Sequence, residues 1–128
     1  MKKTLFILIM VCATINIYAQ QEKNVTITVY HSGSQTADGS IIPWKLVRNK
    51  TIRWCAVSPN LLKKHGGPYE YGDTITVTCG DPRINGDWVI HDRTSSHHKN
   101  WIDILTVPSI IKTGKFHGKV KLKNKKKK

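Results

Sequence analysis

The chain has 128 residues, a formal net charge of +13 and three cysteines. This length is enough for one compact domain with a modest hydrophobic core. The charge is concentrated at the carboxyl end, because nine lysines and no acidic residue occur from Lys112 onward. The terminal run, residues 125–128, has no interleaved aromatic residue, which argues against specific nucleic-acid recognition and favours non-selective attraction to polyanions.

The first nineteen residues have the pattern of a secretory signal peptide. Lys2 and Lys3 precede an apolar run from Leu5 to Ile17, and Ala19 supplies the small residue at the cleavage position. The run is too short for a membrane-spanning helix, and Cys12 lacks the small preceding residue of a lipidated cysteine. We therefore expect export to the periplasm, cell envelope or extracellular space, and a mature chain of charge +11 with no transmembrane segment.

The mature chain is predicted to have a disordered polar leader at 20–24, a folded domain at 25–123 and a flexible, solvated lysine-rich tail at 124–128. Pro43 discourages a central strand, so residues 41–50 are expected to form an irregular or edge segment. Short helical turns are expected at 58–64, after Ser58-Pro59, and at 107–112. Alternating β-forming residues predict six strands, at 25–30, 51–57, 74–79, 88–92, 101–105 and 116–122.

This number and spacing of strands predicts a mainly β fold, a small closed barrel or sandwich with one or two short helices. Asp103 lies inside the strand at 101–105, where alternation places it on the face of Trp101 and opposite the apolar Ile102 and Ile104. A carboxyl beside apolar rings is destabilised in its ionised form, so its pKa rises and it becomes a candidate proton donor.

Asp92 ends the strand at 88–92, and the same alternation places it on the face of Trp88 and Ile90. If neighbouring strands bring the two carboxyls within about 4–6 Å, the charge of Asp92 raises the pKa of Asp103. The alternative is that Asp92 caps a turn and Asp103 lies on an ordinary solvated edge.

Aromatic and histidine residues give weaker signals. Trp101 is predicted to line a groove because it alternates with Asp103, whereas Trp54 is assigned to the core. The adjacent His97 and His98 diverge on an extended chain, so we expect exposed loop histidines and no metal site. We expect His91 to fill the face opposite Asp92.

Cys55 and Cys79 are the only cysteines after residue 19. In an oxidising compartment they can pair, and closing this loop would stabilise the fold by roughly 3–4 kcal/mol. Two buried free thiols are equally compatible with the sequence.

The motifs occur in an order that resembles the three-aspartate (3D) domain. A TADGS loop at 36–40 follows the first strand, Ala56-Val57 ends a strand before a proline turn, and Tyr71-Gly72-Asp73 precedes a Val/Thr strand. Gly-x-Trp-Val-x-x-Asp at 86–92 is then followed by Ile102-Asp103-Ile104. The resemblance covers roughly residues 27–122. It implies a six-stranded double-psi β-barrel, related to membrane-bound lytic transglycosylase A and more distantly to rare lipoprotein A, expansin and barwin barrels.

The resemblance also implies site residues. Asp103 matches the third family aspartate, generally assigned as the catalytic acid/base, and Asp92 matches the second. Ser58 stands where the family has its first aspartate, after Ala-Val. The expected substrate-binding residues are Thr36, Asp38, Gly39, Arg93 and Trp101.

The implied activity is non-hydrolytic cleavage of the β-1,4 bond between N-acetylmuramic acid and N-acetylglucosamine, with a 1,6-anhydro product. One carboxyl suffices, because it protonates the glycosidic oxygen and then accepts the proton of the sugar's own 6-hydroxyl. No cofactor is required. We expect a monomer that binds peptidoglycan strands. Its lysine tail is expected to attract anionic envelope polymers. The alternative is an expansin- or barwin-like module that binds wall glycans without cleaving them.

Overall fold

The computed structural model describes residues 21–127. The predicted signal peptide and Lys128 lie outside this part of the chain. Within residues 21–127, one α-helix and two 3-10 turns, Pro59–Leu61 and Lys63–His65, accompany six strands, so the predicted mainly β class is confirmed. The elements are β1 (Lys23–Tyr30), α1 (Trp44–Arg48), β2 (Trp54–Val57), β3 (Thr74–Cys79), β4 (Gly86–Arg93), β5 (Trp101–Leu105) and β6 (Phe116–Asn124).

The strands close into a barrel in the order β1-β5-β2-β4-β3-β6. Two pairs are parallel, β1 with β5 and β2 with β4, and the other four pairs are antiparallel. The strands that carry the two candidate aspartates, β4 and β5, are therefore not neighbours, because β2 lies between them. The barrel interior is filled by fully buried aliphatic side chains, among them Ile27, Ile75, Ile90, Ile102 and Ile104.

A smaller apolar cluster packs against the outside of the barrel beneath α1. It contains Val47 of the helix together with Leu105 at the end of β5. Residues 41–50 were expected to be irregular or an edge segment, and α1 shows that this expectation is wrong. Pro43 precedes the helix, and its carbonyl accepts hydrogen bonds from the amides of Leu46 and Val47. Proline is compatible with a helix start although it is not compatible with a central strand.

The barrel strands extend beyond the predicted bounds at both ends of the domain. Lys23 and Asn24 belong to β1 and pair with Val120 and Lys119 of β6, so part of the predicted leader is ordered. Strand β6 continues to Asn124. Within residues 21–127, no helix is both long and apolar enough to cross a bilayer.

The first lysines of the carboxyl-terminal run are attached to the barrel. Asp73 is fully buried, and its carboxylate accepts hydrogen bonds from the backbone amides of Lys126 at 2.8 Å and Glu70 at 2.9 Å. The Lys125 ammonium group lies 3.2 Å from the same carboxylate. The expectation of a flexible tail is therefore wrong for Lys125 and Lys126, although both residues are exposed to solvent as expected.

Candidate functional site

A row of four residues crosses the outer face of the barrel. Ala56 of β2 is paired with Asp92 of β4 on one side and with Asp103 of β5 on the other, and Asp103 is in turn paired with Thr28 of β1. Directly paired residues point to the same face of a sheet, so the two carboxyl side chains share one surface. Both residues are half-buried, and neither carboxyl is enclosed in the core.

Asp103 is held by a directed chain of hydrogen bonds. The indole Nε1 of Trp101 donates to Thr28 Oγ1 at 2.8 Å, and Thr28 Oγ1 donates to Asp103 Oδ1 at 2.9 Å. An indole N–H can only donate, so the single hydroxyl proton of Thr28 is left for Asp103. Oδ1 is therefore an acceptor, and the proton of a neutral Asp103 lies on Oδ2. Asp103 and Trp101 share a face, as their alternation predicts.

The pKa of Asp103 is raised above its ordinary value. Burial is the largest cause, and the charge of Asp92 acts in the same direction. The hydrogen bond from Thr28 and the nearby His98 and His31 oppose the rise without cancelling it. Of the two carboxyls on this face, Asp103 is therefore the candidate to carry a proton.

A β-bulge determines the position of Asp92. Cys55 pairs with Ile90, but the next residue, Ala56, pairs with Asp92, so β4 contains one extra residue, His91. The expectation that Asp92 shares the face of Ile90 is wrong, because the bulge reverses the alternation at this point. Asp92 is thereby moved from the core-facing side of β4 to the surface that carries Asp103.

The Asp92 carboxylate binds three donors. Oδ1 accepts from the backbone amides of Ala37 and Arg93, both at 2.9 Å, and Oδ2 accepts from the Tyr30 hydroxyl at 3.3 Å. Burial, followed by the charge of Asp92, raises the pKa of Tyr30, so its hydroxyl remains a donor. Asp92 therefore anchors the TADGS loop to the end of β4 and keeps its negative charge at a fixed place.

The TADGS loop, residues 36–40, satisfies most of its polar groups internally. Thr36 is buried, and its hydroxyl donates to Asp38 Oδ1 at 2.6 Å, while the Gly39 amide donates to the Thr36 carbonyl. Burial alone would raise the pKa of Asp38, but hydrogen bonds from Thr36, His91 and Ser40 outweigh it and lower the pKa. The loop thus brings Asp38 beside β4, whereas Thr36 is covered.

His91 lies on the outer face, so the expectation that it fills the opposite face is wrong. Its Nδ1 is 2.6 Å from Asp38 Oδ2 and 3.3 Å from Ser40 Oγ, and its ring lies 4.0 Å from that of Trp54. Both oxygens approach the same nitrogen, so the three side chains do not form a nucleophile relay, which needs one partner on each nitrogen. Trp54 packs against the smaller outer cluster and not inside the barrel.

His98 was expected to be an exposed loop residue, but it is half-buried against Trp101. Their rings are stacked with centroids 4.2 Å apart, and the Lys115 ammonium group lies 5.4 Å from the indole centroid. Part of the Trp101 surface predicted to line a groove is therefore covered by His98. The 94–100 loop has no periodic pattern of residues that would predict this contact. Arg93, the other predicted substrate-binding residue, is exposed at the end of β4.

The remaining predicted positions have structural contacts. Ser58, at the place of the first family aspartate, is fully buried; its Oγ donates to Asn60 Oδ1 at 2.7 Å and accepts from the Trp101 amide at 2.9 Å.

Cys55 and Cys79 are free thiols, and burial raises the pKa of Cys55. Residues 21–127 contain no group of three or more potential metal-ligating side chains.

Comparison with known proteins found no family model that matches this chain and no matching curated protein. The resemblance to three-aspartate domains thus depends on the ordered motifs and on their agreement with a closed six-stranded barrel.

Proposed function

We propose that the protein is an exported lytic transglycosylase of peptidoglycan, with Asp103 as its catalytic acid and base and residues 1–19 as its signal peptide. The observation that carries this proposal is the environment of Asp103. Its carboxyl is half-buried, has a raised pKa and is oriented through Oδ1 by Thr28. Oδ2 remains to hold a proton.

In the proposed reaction, the Asp103 Oδ2 proton passes to the glycosidic oxygen as the bond from that oxygen to C1 of N-acetylmuramic acid breaks. The N-acetylglucosamine portion leaves with a new hydroxyl. The Asp103 carboxylate then accepts the proton of the muramic 6-hydroxyl. The oxygen of that hydroxyl bonds to C1 and closes the 1,6-anhydro ring. Asp103 is protonated again at the end, and no water is consumed.

In this proposal Asp92 acts through its charge. One strand separates it from Asp103, so the two Cα atoms are about 10 Å apart by ordinary strand spacing. At that range the carboxylate helps to keep Asp103 protonated and stabilises positive charge that develops on the sugar ring. Its three hydrogen bonds keep this charge in one position.

We also propose that the barrel is a double-psi barrel of the three-aspartate type. The closed order of six strands and the two parallel pairs, β1 with β5 and β2 with β4, support this assignment. They are compatible with it without distinguishing it from other six-stranded barrels.

A second candidate function is glycan binding without cleavage. Two observations favour it: the buried Ser58 supplies no carboxyl at the first family position, and His98 covers part of Trp101. The barrel would then hold wall glycans through the same outer face.

Incubation of the mature protein with purified sacculi, followed by mass spectrometry of soluble products, tests the proposal. Wild type and the control Asp87→Asn, which alters an exposed carboxylate on β4, are expected to release anhydromuropeptides. Asp103→Asn is expected to release none while its circular dichroism remains native. Binding of wild type to sacculi without soluble products would favour the glycan-binding function, and neither binding nor products would exclude both.

A further inference from the structure

The 94–100 loop, which connects β4 to β5, is attached to the barrel by backbone hydrogen bonds at its two ends. The Thr94 amide donates to a carbonyl of β2 at 3.0 Å, and the Asn100 carbonyl accepts from an amide of β1 at 2.9 Å. Within residues 21–127, the middle of the loop makes one backbone-to-backbone hydrogen bond, from the His98 amide to the Ser95 carbonyl at 3.1 Å, and that bond is internal. The middle of the loop can therefore move while its ends stay in place.

His98 is the side chain through which the middle of the loop contacts the barrel. It is half-buried, and its imidazole lies nearly parallel to the Trp101 indole, with centroids 4.2 Å apart and an interplanar angle of 14°. The other residues of this part of the loop are exposed: Ser95, Ser96, His97 and Lys99. One stacked ring pair therefore keeps the middle of the loop against β5.

The stacked position leaves one nitrogen of His98 without a partner. Nδ1 is buried, and it makes no hydrogen bond within residues 21–127. A neutral imidazole has one donor and one acceptor nitrogen, so Nδ1 is unsatisfied in either tautomer. A buried polar atom without a partner costs free energy, and water removes this cost once the ring leaves the indole. The stacking of the two rings is thus opposed by a cost that arises in the same side chain.

The surface beneath His98 belongs to the candidate site. The Trp101 indole has a fixed orientation, because its Nε1 donates to Thr28 Oγ1 at 2.8 Å, and that hydroxyl donates to Asp103. Burial raises the pKa of Asp103, and His98 is close enough for its charge to oppose that rise. Movement of the imidazole away from the indole would uncover an apolar ring face beside the Asp103 carboxyl.

An aromatic face beside a carboxyl is suited to a sugar ring. A pyranose has a face of C–H groups that packs on an aromatic ring, and its edge carries hydroxyls that hydrogen-bond to carboxyl oxygens. The sugar and the imidazole would need the same side of the indole, so they exclude each other.

We infer that His98 is a displaceable cover of the Trp101 indole and that a sugar ring of the glycan takes its place beside Asp103. This inference rests on the proposed function and adds to it a sugar subsite that the chain itself closes in the free protein. Glycan binds only the fraction of molecules in which His98 has left the indole, so the apparent affinity is lower than the intrinsic affinity by that fraction.

The probe for this inference is the β-1,4-linked tetramer of N-acetylglucosamine, titrated into the mature protein. The tetramer is uncharged, which minimises attraction to the lysines, and it lacks N-acetylmuramic acid, so the bond of the proposed reaction is absent. In the free protein, the indole ring current is expected to shift the proton NMR signals of the His98 imidazole upfield. As the tetramer binds, we expect these signals to move to the positions of an exposed histidine.

Two substitutions of His98 are expected to change the affinity for the tetramer in opposite directions. His98→Ala removes the cover, so binding is expected to be about five-fold tighter than in wild type. His98→Phe keeps a stacked ring and removes the unsatisfied nitrogen, so the cover closes more firmly and binding is expected to be about three-fold weaker. His97→Ala is the matched control, because it removes an exposed imidazole from the same loop and is expected to leave the affinity unchanged.

Equal affinity of wild type, His98→Ala and His98→Phe would overturn the inference, and so would weaker binding by His98→Ala. Upfield His98 signals that persist when wild type is saturated with tetramer would overturn it without reference to any variant. Absence of binding by wild type and His98→Ala alike would also overturn it. Failure of the proposed function has a different signature, because sacculi then yield no anhydro products while the shift of the His98 signals and the order of affinities are unaffected.

Discussion

Asp92 and Asp103 face the same side of the barrel from strands that are not neighbours, with Ala56 of β2 paired to both. Because β2 lies between their strands, the two aspartates do not occupy directly paired positions as an adjacent, proton-sharing dyad would. Burial is accordingly a larger cause of the raised pKa of Asp103 than the charge of Asp92. In the proposed reaction the two carboxyls therefore have separate roles, Asp103 as proton carrier and Asp92 as fixed charge.

The raised pKa of Asp103 predicts a pH-dependent stability difference. The folded protein binds this proton more tightly than the unfolded chain, so the stabilisation is present at low pH and is lost as pH rises through the folded pKa. The Asp103→Asn variant has no titrating carboxyl at this position, so it does not lose stability in this way. Its amide oxygen can still accept the hydrogen bond from Thr28. We expect the variant to be more stable than wild type at pH 7 and to match it near pH 3. Urea denaturation between these pH values measures the difference.

Asp87→Asn is the matched control for this pH series. The hydrogen bond from Lys123 lowers the pKa of Asp87, so its stabilisation is present at neutral pH and is lost as pH falls through the folded pKa. At pH 7, Asp103→Asn is therefore expected to be more stable than wild type, and Asp87→Asn is expected to be less stable. A wild type more stable than Asp103→Asn at pH 7 would contradict the assignment of a raised pKa.

Thr28→Val is expected to raise the pKa of Asp103 further, because the hydrogen bond from Thr28 opposes the rise caused by burial. A carbon-13 NMR titration of the Asp103 carboxyl reads this change directly, without relying on activity. If Asp103 is the catalytic acid, the alkaline limb of the pH profile for product release is expected to move to higher pH. Thr26→Val, one pleat away on the same strand, is the control. A shift of equal size in both variants would exclude a specific effect of Thr28.

Asp73→Ala is expected to destabilise the fold by about 3 kcal/mol, because it leaves the backbone amides of Glu70 and Lys126 without their buried acceptor. It also releases the chain from Lys125 onward, so a lysine-specific protease is expected to cleave there faster than in wild type. Asp87→Ala, which loses a pair with the exposed Lys123 and a hydrogen bond from Thr76, is expected to cost about 1 kcal/mol. Comparable losses in the two variants, measured by urea denaturation, would contradict the anchoring role of Asp73.

The two thiols are expected to differ in reactivity. Cys55 is fully buried in the barrel with a raised pKa, whereas Cys79 is half-buried near the end of β3. A thiolate is the reactive form, so alkylation of the native protein is expected at Cys79 and not at Cys55. Peptide mass spectrometry after brief treatment with iodoacetamide checks this, and urea should expose Cys55. Equal labelling in the native state, or a bridge between the two residues, would contradict it.

Much of the barrel was predictable because its strands follow local rules. The alternation in β1, β3 and β5 reports directly which side chains face the core, and Ile102 and Ile104 are buried as their positions predict. The face of Asp103 follows from the same rule. The 41–50 segment was missed because Pro43 argues equally against a strand and for a helix start, and only the apolar contacts of Val47 decide between them.

The remainder of the site depends on contacts between distant parts of the chain. Asp73 binds Lys126 across more than fifty residues, and no local pattern near either residue indicates the pairing. His98 stacks on Trp101 only because its loop folds back. The bulge at His91 also has no sequence signature, since the apolar run around it has ordinary strand composition.

The bulge makes the chemistry of this surface depend on the length of β4. Deleting His91 would restore regular alternation and leave Asp92 directly after Ile90, so its carboxyl would stay on the outer face opposite Ala56 while the imidazole beside Asp38 would be lost. In evolutionary terms, a single inserted codon absorbed by a bulge can add a polar side chain to this surface without displacing the neighbouring carboxylate. Related barrels that differ in activity are therefore best compared by the spacing of this strand before their residue identities are aligned.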